Sequence, residues 1–423
     1  MRKYIVYLAV ISSLLGASVV SIDLGMFQLS LFRALIILIS MIMFIDMLFS
    51  NKLLSVGKKE NSYSIKFMLI WFLYAFFTLA WVKDYISWVK AIYFLGLGLF
   101  CVVIFSKYLK TKFDILTAFR LMVVMIIFHN IIGWYEVDTG NYLFLSVERV
   151  TKYARYKYPV SMFGNTNDFA TFMLFSVFIT YICAMNTKRF IAKLLYLITM
   201  LSSVSLLIMS GSRANILGLI LGLGVFVFLS IQNKKTRRAL LIVLLSLFMI
   251  LLFNPELITN LLYTIDEQLY FRFSEQGSDL TRLNLIKNGF IFLFETCGFG
   301  TGAGNIEYWM ANYGIYYTGE IENIHNWWME ILTGYGIIIF IMYIVFYVKL
   351  FLSAYKKFKT SEDKVDISIS LGIMCCMAGY IVGSISSSSN ISSEWLWVFW
   401  GIAIAYQGVS GIDNKAAITF RRY

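Results

Sequence analysis

The stretch "LLIMSGSRANILGLILG", Leu206 to Gly222, sets one arginine between two runs of residues suited to lipid. An arginine near the centre of a spanning helix costs about 2.5–3.5 kcal/mol on insertion scales, so a chain that keeps one there usually has something for it to hold. Placing Arg213 at a turn between two spans removes most of that cost. It also fixes the side on which every later loop emerges.

Outward from this turn, apolar runs of roughly 18–20 residues recur with short polar breaks. Of the 423 residues 59% are hydrophobic and 14% charged, which excludes soluble enzyme folds. Spans are expected near 4–22, 27–49, 65–82, 87–106, 113–135, 168–186, 191–211, 213–231, 239–254, 326–349, 367–386 and 394–409. The fold class is therefore all-α, a single integral membrane domain over 1–423 with about twelve helices and both termini inside. The net charge of +12 fits this frame, because the basic residues gather in "NKLLSVGKK", "SKYLKTK", "NTKRF", "NKKTRR" and "YKKFKTSEDK", where the positive-inside rule places them. Orientation rather than nucleic acid explains them. The first segment, behind Met1, Arg2 and Lys3, is read as a retained helix rather than a signal peptide, since the next span follows without a processing site. Five scattered cysteines predict no structural disulfide.

Two outer segments are long, 136–167 and 255–325, and loops of that length are usually functional. The second contains "DLTRLNLIKNGFIFLFE", in which Leu283, Ile286, Phe290 and Phe294 share one helical face, as expected of an amphipathic helix on the outer interface. No phosphate-binding loop is present, and "CGFGTGAG" lacks the spacing of a dinucleotide fingerprint. Two histidines far apart do not make a metal site, and no inner loop is large enough for a nucleotide-sugar. Chemistry is expected outside the cytoplasm, driven by an activated substrate.

Arg213, Arg282 and His325 converge, in topology, on that outer surface. Arginine offers a planar fork of donors that matches phosphate oxygens in pairs, and histidine suits proton removal near neutral pH. Together they describe sugar transfer from a lipid pyrophosphate, with His325 as general base and the arginines stabilising the leaving group. Each also has a plainer reading: an interfacial histidine beside Trp327 and Trp328, an arginine on ordinary lipid phosphates, a solvated helix charge. Arg33, a couple of turns below the outer face, is a candidate substrate contact. Arg120 is read as snorkelling inward, and His129 with Asn130 as an interhelical hydrogen bond. In "ERVTKYARYKYP" the rings of Tyr153, Tyr156 and Tyr158 offer faces for sugar stacking, or the patch rests on acidic lipid.

At these residues the chain resembles the O-antigen ligase and polysaccharide polymerase superfamily. The matching pieces are "FGNTNDFATFML", "SGSRANILG", "SDLTRLNLIKNGF", "GFGTGAGN" and "HNWWMEILTGYGIIIFI", in the family's order, with a family-like core over 163–350. The resemblance implies an undecaprenyl-pyrophosphate-linked glycan as donor, an acceptor glycan, and no cofactor or metal. It implies catalytic roles for His325, Arg213 and Arg282, and substrate contacts at Asn165, Asn167 and Asn326; Thr166 stands where the family often has proline. The setting it implies is the bacterial cytoplasmic membrane, with surrounding lipids, a flippase and chain-length regulator proteins as associates and no nucleic acid. Lys-, Ile- and Asn-rich usage and this style of chain favour a capsule or teichuronic-type polymerase over a ligase that moves the finished glycan to lipid A core. A lipid-linked oligosaccharide flippase is the rival from another class; it would distribute ionisable groups through the membrane depth.

Overall fold

Each expected span overlaps a helix. The computed structural model describes residues 2–16, 21–23, 25, 27–50, 60–145, 153–154, 156–231, 233–254, 256–257, 278–387 and 390–409. Within them run α1 (Arg2–Ser12), α2 (Leu31–Ser50), α3 (Ser62–Phe77), α4 (Tyr85–Tyr108), α5 (Lys112–Thr139), α6 (Thr166–Met185) and α7 (Phe190–Met209). They continue with α8 (Arg213–Ser230), α9 (Lys234–Phe253), α10 (Ser278–Glu295), α11 (Ile306–Tyr313), α12 (Trp327–Thr360), α13 (Lys364–Gly383) and α14 (Glu394–Gln407). Among the described residues nine helices are long and apolar enough to cross a membrane. The molecule is an all-α polytopic membrane protein.

Helices α6 and α13 form the centre, with 78% of their most apolar windows buried, against 22% for α7 and α8. The 14 residues of α14 are buried throughout, and at about 1.5 Å per residue it falls short of the ~30 Å hydrocarbon core. Protein encloses it, so it has no lipid thickness to match. The outward side chains of α7, among them Phe190, Ile191, Ile198 and Leu201, are exposed and apolar, as a lipid-facing surface requires. At the end where α1, α5 and α13 begin, Arg2 pairs with Asp46, Lys3 with Asp114, and Lys112 with Asp363 at 2.7 Å.

The first expected span, 4–22, is shorter than its sequence suggests. Helix α1 stops at Ser12, where the Ser12 and Ser13 hydroxyls donate to the Ala9 and Val10 carbonyls, and Gly16 adopts a left-handed φ of 66°. Ser21–Asp23 then pairs antiparallel with Gln28–Ser30, with Ile22 opposite Leu29. This small ladder leads directly into α2.

Helices α8 and α13 meet through glycines four residues apart on each: Gly218 lies against Gly379, Gly222 against the Cys375 carbonyl, and Gly383 against Asn215. A Cβ on Gly218 would lie 2.6 Å from the Gly379 carbonyl oxygen, and one on Gly379 would lie 2.9 Å from that of Gly218. Only hydrogen side chains allow backbones to approach this closely, the small-xxx-small packing of membrane helices.

Helix α12 is broken at Gly336, whose φ of 80° and ψ of 176° are not helical. The carbonyls freed there accept from the glycine-rich loop: Thr301 N donates to Thr333 O at 2.8 Å and Gly302 N to Gly334 O at 3.0 Å, while Ile337 N donates to Gly298 O at 2.9 Å. Gly298, Gly300, Gly302 and Gly304 all have positive φ, which explains glycine at alternate positions in "CGFGTGAG". Buried Asn305 ties this loop to the start of α4, accepting from Lys83 N at 2.9 Å and Asp84 N at 2.8 Å. Helix α10 keeps the expected apolar face open, with Phe294 80% exposed, but has a second buried face: Leu285 and Phe292 pack with Ile306, Met310, Ile324 and Met329. It lies against protein on one side and offers the other to an interface.

Replacing Gly218 with Leu is expected to force α8 and α13 apart. Because the opposing atom is backbone, the cost should be at least the about 1–3 kcal/mol of core overpacking, read as a lowered unfolding midpoint in detergent.

Candidate active site

Arg213, Arg282 and His325 line one cavity of about 290 Å³. Its walls come from six places: Tyr153 and Tyr158, the start of α6, the α7–α8 turn, α10, the segment before α12 and the segment after α13. Arg213 is the first residue of α8, delivered by a turn in which Gly211 has a φ of 72° and the Ser210 hydroxyl donates to Leu207 O at 2.6 Å. Two helices begin here, α6 with Thr166 and α8 with Arg213, so the first turns of both border the same space. Two helix N-termini and two guanidinium groups, with no carboxylate among the described lining residues, give this cavity a chemistry suited to an anion.

Asn215 joins the walls. Fully buried, its Nδ2 donates to Ser212 Oγ at 2.9 Å, to Ser386 Oγ at 3.3 Å and to Asn167 O at 3.3 Å, linking the α7–α8 turn, the end of α13 and the start of α6. On the opposite side His325 has a φ of 47°, a left-handed conformation that costs a non-glycine residue roughly 1–2 kcal/mol. Asparagines on both sides hold it. Asn323 Oδ1 accepts from His325 N at 2.9 Å while its Nδ2 donates to Glu307 Oε1 at 2.9 Å. Asn326 caps α12, accepting from Trp328 N at 3.1 Å and Met329 N at 3.3 Å, and Trp327 N donates to Ser384 O at 3.0 Å.

The other residues singled out by sequence fall in different places. Asn165 and Asn167 border the cavity; Asn165 also caps α6, accepting from Asp168 N at 2.8 Å. Asn326 is not among the lining residues. Arg33 lines a separate cavity of about 190 Å³ with Asp168 and Glu394, bonds Glu394 at 2.6 Å and the Gln28 carbonyl, and sits 4.9 Å over the Phe94 ring. Tyr153 and Tyr158 border the arginine cavity, whereas Tyr156 packs on Tyr158 at 5.6 Å; Arg149, Lys152 and Arg155 lie outside the described residues.

Arg120 donates to Asn186 O at 3.2 Å, and Asn130 joins α5 to α7 through Thr199 O and Ser203 Oγ. His129 instead bonds Ser161 Oγ and Leu14 O, each at 2.8 Å, and with buried Glu136, which accepts from Val160 N and Ser161 N, anchors the segment carrying Tyr158. Sequence reasoning missed Asn215 and Asn323. Their signal was position alone, each two residues from a candidate. Among the described residues no three of His, Cys, Asp and Glu cluster as metal ligands, and all five cysteines are free.

Changing Asn215 to Leu, which keeps the bulk and deletes both amide donors, should destabilise the fold by about 1–3 kcal/mol. It should also lower turnover more than the stability loss explains, as a parallel melt and activity assay would show.

Comparison with known proteins places this geometry. Residues 196–344 match the family model described as O-Antigen ligase, a segment that begins in α7, ends in α12 and contains Arg213, Arg282 and His325. Over 409 residues, 95% of this chain and 83% of the relative, the protein is 28% identical to the Teichuronic acid biosynthesis protein TuaE of Bacillus subtilis (strain 168). The resemblance read from the five sequence pieces is to the family that the model names.

Proposed function

We propose that the protein is a membrane glycosyltransferase that moves a glycan from undecaprenyl pyrophosphate to an acceptor hydroxyl, lengthening a surface polysaccharide at the outer face of the bacterial cytoplasmic membrane. One observation carries the reading: two arginines and a histidine from three distant chain segments line a single cavity free of carboxylates among its described residues. A diphosphate headgroup is the ligand such a cavity suits. The N-terminal turns of α6 and α8 add to its pull on an anion.

In the proposed reaction His325 takes the proton from the acceptor hydroxyl as its oxygen bonds to the anomeric carbon. The bond from that carbon to the pyrophosphate oxygen breaks, and the electron pair leaves with the lipid diphosphate. Arg213 and Arg282 stabilise the charge gathering there, as fixed donors that need little reorganisation during the reaction. The activated donor supplies the driving force, so no cofactor enters. Asn165 and Asn167 are assigned to the donor headgroup, Arg33 and Asn326 to holding the scaffold. A flippase that delivers the donor and a chain-length regulator are the partners this role calls for.

The polymerase reading takes support from a relative named for teichuronic acid biosynthesis, and transfer to a different acceptor, as in a ligase, from the name of the matching family. Both share the donor chemistry. Reconstitution with a purified lipid-linked repeat separates them, because a polymerase lengthens chains without another acceptor.

His325→Ala should leave lipid-linked repeats exported but unpolymerised, with turnover down about 10²–10⁴-fold, the usual worth of a general base. Full-length polymer from that variant would overturn the mechanism, and repeats stranded inside would point to a flippase. Arg213→Lys should lower turnover about tenfold or more, since an ammonium does not reproduce the paired contacts of a guanidinium; donor titration in proteoliposomes measures it.

A further inference from the structure

We propose that a second cavity beside the first holds the sugar that receives the transferred chain, and that its hydroxyl reaches His325 across the wall the two cavities share. This rests on the reading of the first cavity as the donor site.

The wall is a few residues of chain. Ile321 and His325 border the first cavity, and Asn323 and Ile324 border the second, which has a volume of about 220 Å³. Adjacent residues thus serve different spaces, with the left-handed backbone at His325 marking the switch. Asn323 belongs to both: it lines the second cavity, holds the backbone N–H of His325, and is itself held by Glu307 on that cavity's rim. An occupant of the second cavity therefore lies against the group that fixes the candidate base.

The two spaces differ in chemistry. Against the two arginines of the first, the second presents Lys90, Glu307 and Glu330 with the rings of Phe94 and Tyr335. Two carboxylates and one ammonium disfavour a diphosphate. They suit an uncharged sugar, whose hydroxyls donate to carboxylates and accept from an ammonium while its C–H faces pack on aromatic rings. The volume lies below the ~300–1,000 Å³ of pockets that enclose a drug-sized ligand, so one terminal sugar fits and the rest of the chain stays outside.

The test uses the full-length protein in proteoliposomes, with the producing strain's own lipid-linked repeat as donor. The acceptor is the same repeat freed of lipid by mild acid, titrated separately. Lys90→Ala and Glu307→Gln both alter exposed side chains, and the glutamine keeps an oxygen for Asn323. Each should raise the acceptor KM threefold or more and leave the donor KM within threefold of wild type. An acceptor KM shifted less than threefold in both variants, or a donor KM shifted as far as the acceptor KM, overturns the assignment. Arg213→Lys, run alongside, separates the two readings. If it is impaired while the second-cavity variants behave as wild type, only the acceptor site falls; if it too is unaffected, the donor reading falls and takes this one with it.

Discussion

A membrane helix interrupted at Gly336 leaves the carbonyls of Thr333 and Gly334 without their own helical partners, and no water in a bilayer core replaces them. The glycine-rich loop is the answer to that deficit. Thr301 and Gly302 donate to those carbonyls, and Gly298 accepts from Ile337 on the far side of the break. A Cβ on Gly300 would lie 2.6 Å from the Gly336 nitrogen, so the two strands of chain fit only as glycine against glycine. From this junction the order of the large loop follows: Asn305 fastens to the start of α4, α11 seats on Leu285 and Phe292 of α10, and the segment through His325 is carried to its cavity.

The other half of the site depends on the bundle. Gly218 and Gly379 let α8 press against α13, which brings Ser386 within reach of Asn215 and sets Arg213 at the mouth of the helix pair. Arg213 is thus held by helices, whereas Arg282 and His325 are held by the loop. The cavity is the seam between these two bodies, which is why it draws residues from so many parts of the chain.

Much of the architecture was legible because lipid imposes length and loops carry the compensating charge. The same logic put Arg213, Arg282 and His325 at one end before any contact was known. What stayed hidden depended on partners distant in the chain. The ion pair of Arg33 was one such case, because Glu394, its partner at 2.6 Å, lies 361 residues away. The early end of α1 comes from serine hydroxyls and one left-handed glycine inside a run that is otherwise apolar enough to continue. The break in α12 carries no proline, only a glycine in "TGYG", and its cause lies in a loop some 35 residues earlier. The single amphipathic face assigned to α10 was half of the truth, because tertiary packing covers a second one.

The alternation of Ile324 and His325 between two cavities bears on how such a chain can diverge. Adding or deleting one residue between Ile321 and Asn326 would shift both side chains from the spaces they now line, drawing the imidazole away from the arginines. Substitutions there are graded in effect, but a change of length is not. This short register should hold constant among relatives even where the rest of the outer loop lengthens or shrinks freely.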